Sequence, residues 1–279
     1  MSGPVDLSSF LTIAVRTWTT EPAPDQQQKG ARRRRRGKRR APKLPTLIEH
    51  ALVMDTETTV DSAQGLLFGA FRYCRIDGTT VITVAEGLIY ADDLPTRDPA
   101  GFARLQAYAR GHKADVDMTY LAVEPNWELE LLSRSEFVTR WLWRVGYRHD
   151  NRPEPALVVM FNAPFDLSRL AVGTAEARDD MYGGFSLILW TDKDGQPAAW
   201  RPRVAVKSLD SKRALKKFRR LERGGQDFAG HLLDLRTLVF ALTGDSHSLD
   251  SACGAFNVEG KSQAPEFGMW AIHFTATSR

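Results

Sequence analysis

The chain has 279 residues, 43% of them hydrophobic, so it can bury a real core, and its formal net charge is +4. It carries no apolar run of membrane-spanning length and no secretory leader pattern, so a cytoplasmic protein with no membrane partner is expected. Its only cysteines, Cys74 and Cys253, have no close spacing, which argues against a zinc knuckle and a disulfide framework, and its six histidines show no paired ligand spacing.

The charge is concentrated at one end. Ten of the 38 Lys and Arg residues fall within residues 29–43, which hold no acid, leaving 28 basic against 34 acidic residues elsewhere. Residues 1–45 read as a disordered arm with little to bury beyond the apolar patch Phe10 to Val15. Its core is Arg32, Arg33, Arg34, Arg35, Arg36, Lys38, Arg39 and Arg40, whose mutual repulsion keeps the segment extended. Such an arm can grip nucleic-acid phosphates without sequence preference. It can also be a solvated linker, and its composition matches a nuclear-localisation patch.

The folded part is expected over residues 46–279. Leu52, Val53 and Met54 form a short apolar run that ends in Asp55-Thr56-Glu57, the pattern of a buried strand tipped by two carboxylates. Alternation along a strand puts Asp55 and Glu57 on the same face, and two neighbouring anions call for a cation. Oxygen donors suit Mg2+ or Mn2+. Leu66 to Ile76 and Thr79 to Val84 read as strands joined by Asp77-Gly78, a strong hairpin signal. A hairpin directly after the carboxylate strand implies a mixed sheet.

Asp98 to Arg110 reads as a helix, and Ser133 to Tyr147 as another, opened by the capping-box pair Ser133 and Glu136. Phe137, Val138, Trp141, Leu142 and Val145 give the second helix an apolar face. Ala156 to Phe161 is a buried strand followed by Asn162-Ala163-Pro164-Phe165-Asp166, where Pro164 suits a first helical turn. Asn162 can cap that helix and Asp166 can complement its dipole. Alternatively, Asp166 stands at the strand ends beside Asp55 and Glu57.

Phe185 to Thr191 and Arg203 to Leu209 read as two more strands. Lys212 to Arg223 holds seven Lys or Arg and reads either as an exposed element near a substrate path or as a solvated face. Asp234 and Ser248 cap two short helices, and Gly244 ends the first. Asp234 and Asp250 therefore read as structural before they read as ligands.

With both carboxylate segments in view, the chain resembles the 3′–5′ exonucleases of the DEDD superfamily, and is similar to the proofreading domains of family B DNA polymerases. Asp55-Thr56-Glu57 matches the family's first motif, and Asn162-Ala163-Pro164-Phe165-Asp166 its second, Asn-x-x-Phe-Asp. The resemblance runs from about Leu47 to Pro265. It implies a ribonuclease H-like α/β fold, a mixed β-sheet flanked by helices. It also implies two Mg2+ or Mn2+ ions held by Asp55, Glu57 and Asp166, with Thr56, Asn162 and Phe165 against the substrate. The implied substrate is the 3′ end of single-stranded nucleic acid, DNA favoured, and the product a nucleoside 5′-monophosphate. The family's third motif, Tyr-x-x-x-Asp or His-x-x-x-x-Asp, has no match after Gly260, where His273 has no Asp following it. An incomplete C-terminal region and impaired activity are therefore expected. The departure also keeps open a non-catalytic nucleic-acid-binding remnant of the fold, a ribonuclease H-like endonuclease and an α/β interaction domain without metal.

Overall fold

The computed structural model describes residues 48–78, 80–114, 128–147, 156–198, 201–209, 214–219, 231–258, 262–264 and 269–271. The arginine-rich arm and residues 272–279, His273 among them, lie outside the described residues.

The chain is mixed α/β. β1 (His50–Thr58), β2 (Leu66–Asp77) and β3 (Thr80–Tyr90) form an antiparallel meander. The Asp77-Gly78 turn between β2 and β3 is where the sequence puts it, and Gly78 supplies the positive φ of +59° that the turn requires. β3 runs on to Tyr90, past the expected end at Val84. Gly87, which interrupts the strand pattern in sequence, is needed there: a Cβ on it would stand 2.4 Å from the Glu130 carbonyl oxygen. That oxygen belongs to β4 (Glu130–Ser133), which pairs parallel to β3.

Between them lie α1 (Leu94–Arg97) and α2 (Pro99–Gly111). The side chain of Asp98 caps α2 by accepting from the Gly101 N–H. Leu94, Leu105 and Ala109 pack with Leu66 and Leu88 over one face of the sheet. α3 (Arg134–Phe137) opens on the capping box formed by Ser133 and Glu136. It then passes into a π-helical segment, Val138–Tyr147, rather than continuing as a regular α-helix. Val138 and Leu142, four apart on this wider winding, are both fully buried against the sheet.

β5 (Leu157–Met160) leads into α4 (Ala163–Leu170), and β10 (His231–Asp234) into α5 (Leu235–Thr243) and α6 (Leu249–Ala255). The main sheet has the order β10-β5-β1-β2-β3-β4. β1, β5 and β10 are parallel, so β2 alone runs against the other five strands.

Between α4 and β10 the chain builds a second, antiparallel sheet from β6 (Gly173–Glu176), β7 (Phe185–Ile188), β8 (Arg203–Ser208) and β9 (Ala214–Arg219). Its apolar side chains, among them Leu187, Val204, Val206 and Phe218, join Leu52, Met54, Leu142, Val158 and Leu167 in one core. Arg134 ties the layers together. It is 5% exposed, donates to the carbonyls of Leu170 and Leu189, and pairs with Asp92 at 2.5 Å. β11 (Ser262–Ala264) and β12 (Met269–Ala271) form a separate antiparallel pair.

Candidate active site at the ends of the parallel strands

β1 and β5 pair through Ala51–Leu157, Leu52–Val158 and Val53–Val159. β5 stops at Met160, whereas β1 continues to Thr58. The end of β1 therefore has no strand on that side, and its backbone donors there need another acceptor. α4 supplies it. Asp166 Oδ1 accepts from the Thr56 N–H at 3.2 Å and from the Thr56 hydroxyl at 2.8 Å. A carboxylate thus completes the ladder where β5 has ended.

On the other side of β1, Gly69 stands opposite Thr56. A Cβ on Gly69 would lie 2.6 Å from the Asp55 carbonyl oxygen, so only glycine lets β2 approach the carboxylate strand this closely. Along β1, Leu52, Met54 and Thr56 are buried, while Asp55 and Glu57 alternate with them and are half-buried. Asp55 and Glu57 thus share a face, as the sequence pattern requires.

Asp166 is 1% exposed, and its second oxygen, Oδ2, has no hydrogen-bond partner among the described residues. Burial, and after it the negative charge of Asp55, push the Asp166 carboxyl up to about 7, against the hydrogen bonds from Thr56 and the Asn162 backbone. The structure therefore brings Asp55 and Asp166 into one electrostatic neighbourhood from separate elements. Among the described residues, no three His, Cys, Asp or Glu side chains are gathered closely enough to hold a metal ion.

The residues present fit a divalent cation. The donors are all carboxylate oxygens, one of them is buried without a partner, and the proton held near neutrality is what a cation would replace. Asp55 and Asp166 would hold such an ion, and Glu57 lies on the same face of β1 as Asp55.

Asn162 precedes α4 as its cap residue, but its side chain makes no capping hydrogen bond. Its carbonyl accepts from the N–H groups of Phe165 and Asp166 instead. Phe165 is half-buried and lies outside the main core, with the Arg169 guanidinium 4.7 Å from its ring centroid.

Asp234 sits at the same end of the sheet, paired in register with Met160. It caps α5 as expected, accepting from the Thr237 N–H at 3.1 Å. It also pairs with Lys216 at 2.7 Å, both side chains being 8% exposed. The sequence contains no local signal for that pairing. Lys216, Lys217 and Arg219 lie on β9, and Asp234, Asp180 and Asp179 neutralise them. The described part of Lys212–Arg223 is therefore an ion-paired strand, neither free to meet a substrate nor simply solvated.

Compared with known proteins, the chain matches no family model, no curated protein and no solved structure.

Proposed function

We propose that the chain is a metal-dependent 3′–5′ exonuclease with a ribonuclease H-like fold. It hydrolyses the phosphodiester bonds of single-stranded nucleic acid, DNA favoured, and releases nucleoside 5′-monophosphates. The observation that carries this reading is the meeting of the two motif segments: Asp166, from the helix after β5, is bound to Thr56 inside Asp55-Thr56-Glu57. The mixed sheet supports the fold assignment, since its carboxylate-tipped strand lies between an antiparallel hairpin and two parallel strands. In open sheets of this kind, ligands bind beyond the carboxyl ends of the parallel strands, which is where these side chains stand.

In this mechanism Asp55, Glu57 and Asp166 would hold two Mg2+ or Mn2+ ions. When bound, these supply an activated water and neutralise charge on the leaving 3′ oxygen. Thr56 holds Asp166 Oδ1 through two hydrogen bonds, leaving Oδ2 as the oxygen that a cation would engage. Burial raises the Asp166 carboxyl to about 7, so a bound cation would compete with a proton there. The Asn162 side chain, which does not cap α4, and the Phe165 ring flank the helix start and would position the strand end. The arm, Arg32 to Arg40, adds attraction to phosphates that does not depend on sequence.

The test is product analysis on 5′-labelled single strands with Mg2+ or Mn2+. A slow ladder shortened from the 3′ end is expected, since the third motif has no match, together with its loss in Asp55→Asn. Internal cuts would make the chain an endonuclease. Binding without cutting would make it a nucleic-acid-binding remnant of the fold.

A further inference from the structure

We propose that Arg169 binds a backbone phosphate of the single strand whose 3′ end is held at Asp55 and Asp166, with the Phe165 ring as the floor beneath its guanidinium. The inference rests on the exonuclease reading above. Arg169 lies three residues beyond Asp166 on α4, so the two side chains emerge on neighbouring parts of the helix.

Its partners are all neutral. Nη1 donates to the Ala63 carbonyl at 3.2 Å and to the Gln64 carbonyl, and Nε donates to the Ser168 hydroxyl at 3.1 Å. Among the described residues no carboxylate pairs with it. Arg72, Arg97, Arg134 and Arg219 differ in this respect, each pairing with a carboxylate. Arg169 therefore keeps its full charge beside a site built from acids. A planar guanidinium held by neutral acceptors is pre-organised to meet a phosphate with its remaining donors.

The loop that holds it is itself built to stay fixed. Residues 59–65 follow directly from the carboxylate strand. Asp61 Oδ1 accepts from the Thr59 hydroxyl and from the N–H groups of Ala63 and Gln64. The Thr59 hydroxyl in turn accepts from the Gly65 N–H. Gln64 has a φ of +45°, a left-handed conformation that a residue with a side chain adopts only against resistance. Its carbonyl is one of the two that meet Arg169. Arg169 thus bridges the two segments that deliver the carboxylates, and it offers the positive charge a polyanionic strand needs there.

The experiment compares the full chain with Arg169→Gln and Arg169→Lys. Gln keeps a hydrogen-bond donor for the loop carbonyls without the charge, and Lys keeps the charge. Binding of a 5′-labelled single strand is measured across a salt series with Mg2+, each protein carrying Asp55→Asn so that the strand stays intact. Cutting is measured without that change. Arg169→Gln is expected to bind about tenfold more weakly and to lower the slope of log affinity against log salt by about 0.7. Arg169→Lys should retain the slope, both variants should melt as the parent does, and in cutting KM should rise more than kcat falls. An unchanged slope in Arg169→Gln, or equal losses in both variants with a lowered Tm, would assign Arg169 to loop support alone. If the parent binds and cuts while Arg169→Gln is unaltered, only this inference fails. If the parent neither binds nor cuts single strands with Mg2+ or Mn2+, the exonuclease reading fails and takes this inference with it.

Discussion

Thr56 holds Asp166 twice, through its backbone N–H and through its hydroxyl, across 110 positions of sequence. The backbone bond completes a β-ladder and persists with any residue at position 56 except proline. The hydroxyl bond is specific to Thr or Ser and favours the ionised carboxylate. Hydrogen bonds to charged groups contribute about 1.5–3 kcal/mol. Thr56→Val should therefore fold, yet bind Mn2+ roughly tenfold or more weakly by calorimetric titration, and cut more slowly. Thr56→Ser should restore both. Equal Mn2+ affinity in Thr56→Val and the parent would remove the hydroxyl from the site's chemistry.

The Asp166 proton sets a pH dependence with a definite sign. Its carboxyl sits at about 7 in the folded protein against 3.8 ordinarily, raised first by burial and then by Asp55. Between those values the folded state keeps a proton that the unfolded chain has lost, so without divalent cations stability falls as pH rises from about 4 to about 7. A difference of that size corresponds to a change on the order of 4 kcal/mol. Chemical denaturation in EDTA across pH 4–8 should show this fall, and Asp166→Asn should largely flatten it. Saturating Mg2+ should restore stability most at the upper end, where the proton has left. A parent that gains stability over the same window in EDTA would contradict the environment described for Asp166.

The parts of this arrangement that were legible in sequence are those fixed by near neighbours. Period-two alternation put Asp55 and Glu57 on one face, Asp77-Gly78 made the hairpin, and Ser133, Asp234 and Ser248 cap helices as their spacing requires. The unbroken apolar run before Asn162 forms a strand between two parallel neighbours. What sequence did not reveal depends on partners far along the chain. β4 exists because Gly87 lets it approach β3. β9 reads in sequence as a solvated face or an exposed element near a substrate path because its partners, Asp179, Asp180 and Asp234, are tens of residues away or on another strand. Arg169 carries no local signal in the sequence, since the carbonyls that hold it lie in the loop after β1. The π-helical winding after Phe137 has no signature in the apolar pattern, which an α-helix satisfies equally well.

The basic arm gives a prediction that does not involve the site. Residues 29–43 hold ten Lys and Arg and no acid. If they grip the strand, affinity for single-stranded nucleic acid should fall steeply with salt, each neutralised phosphate contributing about 0.7 to the slope. Removing residues 1–45 should flatten that slope by several such contacts while leaving the melting temperature unchanged. An unaltered slope would assign strand binding to the folded part, where Arg169 is the first residue to test.

The Lys216–Asp234 pair tests whether Asp234 belongs to the fold or to the cation site. Both groups are 8% exposed and 2.7 Å apart, and the Asp234 carboxylate also caps α5. Lys216 lies on the second sheet and Asp234 on the main one, so the pair joins the two layers. Removing one member of a buried pair leaves an uncompensated charge and costs about 3–5 kcal/mol. Lys216→Met should therefore lower the denaturant midpoint sharply and with little dependence on salt. The double change Lys216→Met with Asp234→Asn should recover most of the loss, since Asn removes the buried charge and still caps a helix. Mn2+ titration separates the two roles. With Asp234 structural, Lys216→Met leaves Mn2+ affinity near that of the parent in whatever fraction stays folded. If Lys216→Met instead tightens Mn2+ binding, and the further change Asp234→Asn abolishes the gain, then Asp234 is a ligand that Lys216 shields, and the site has the fourth carboxylate that the resemblance calls for.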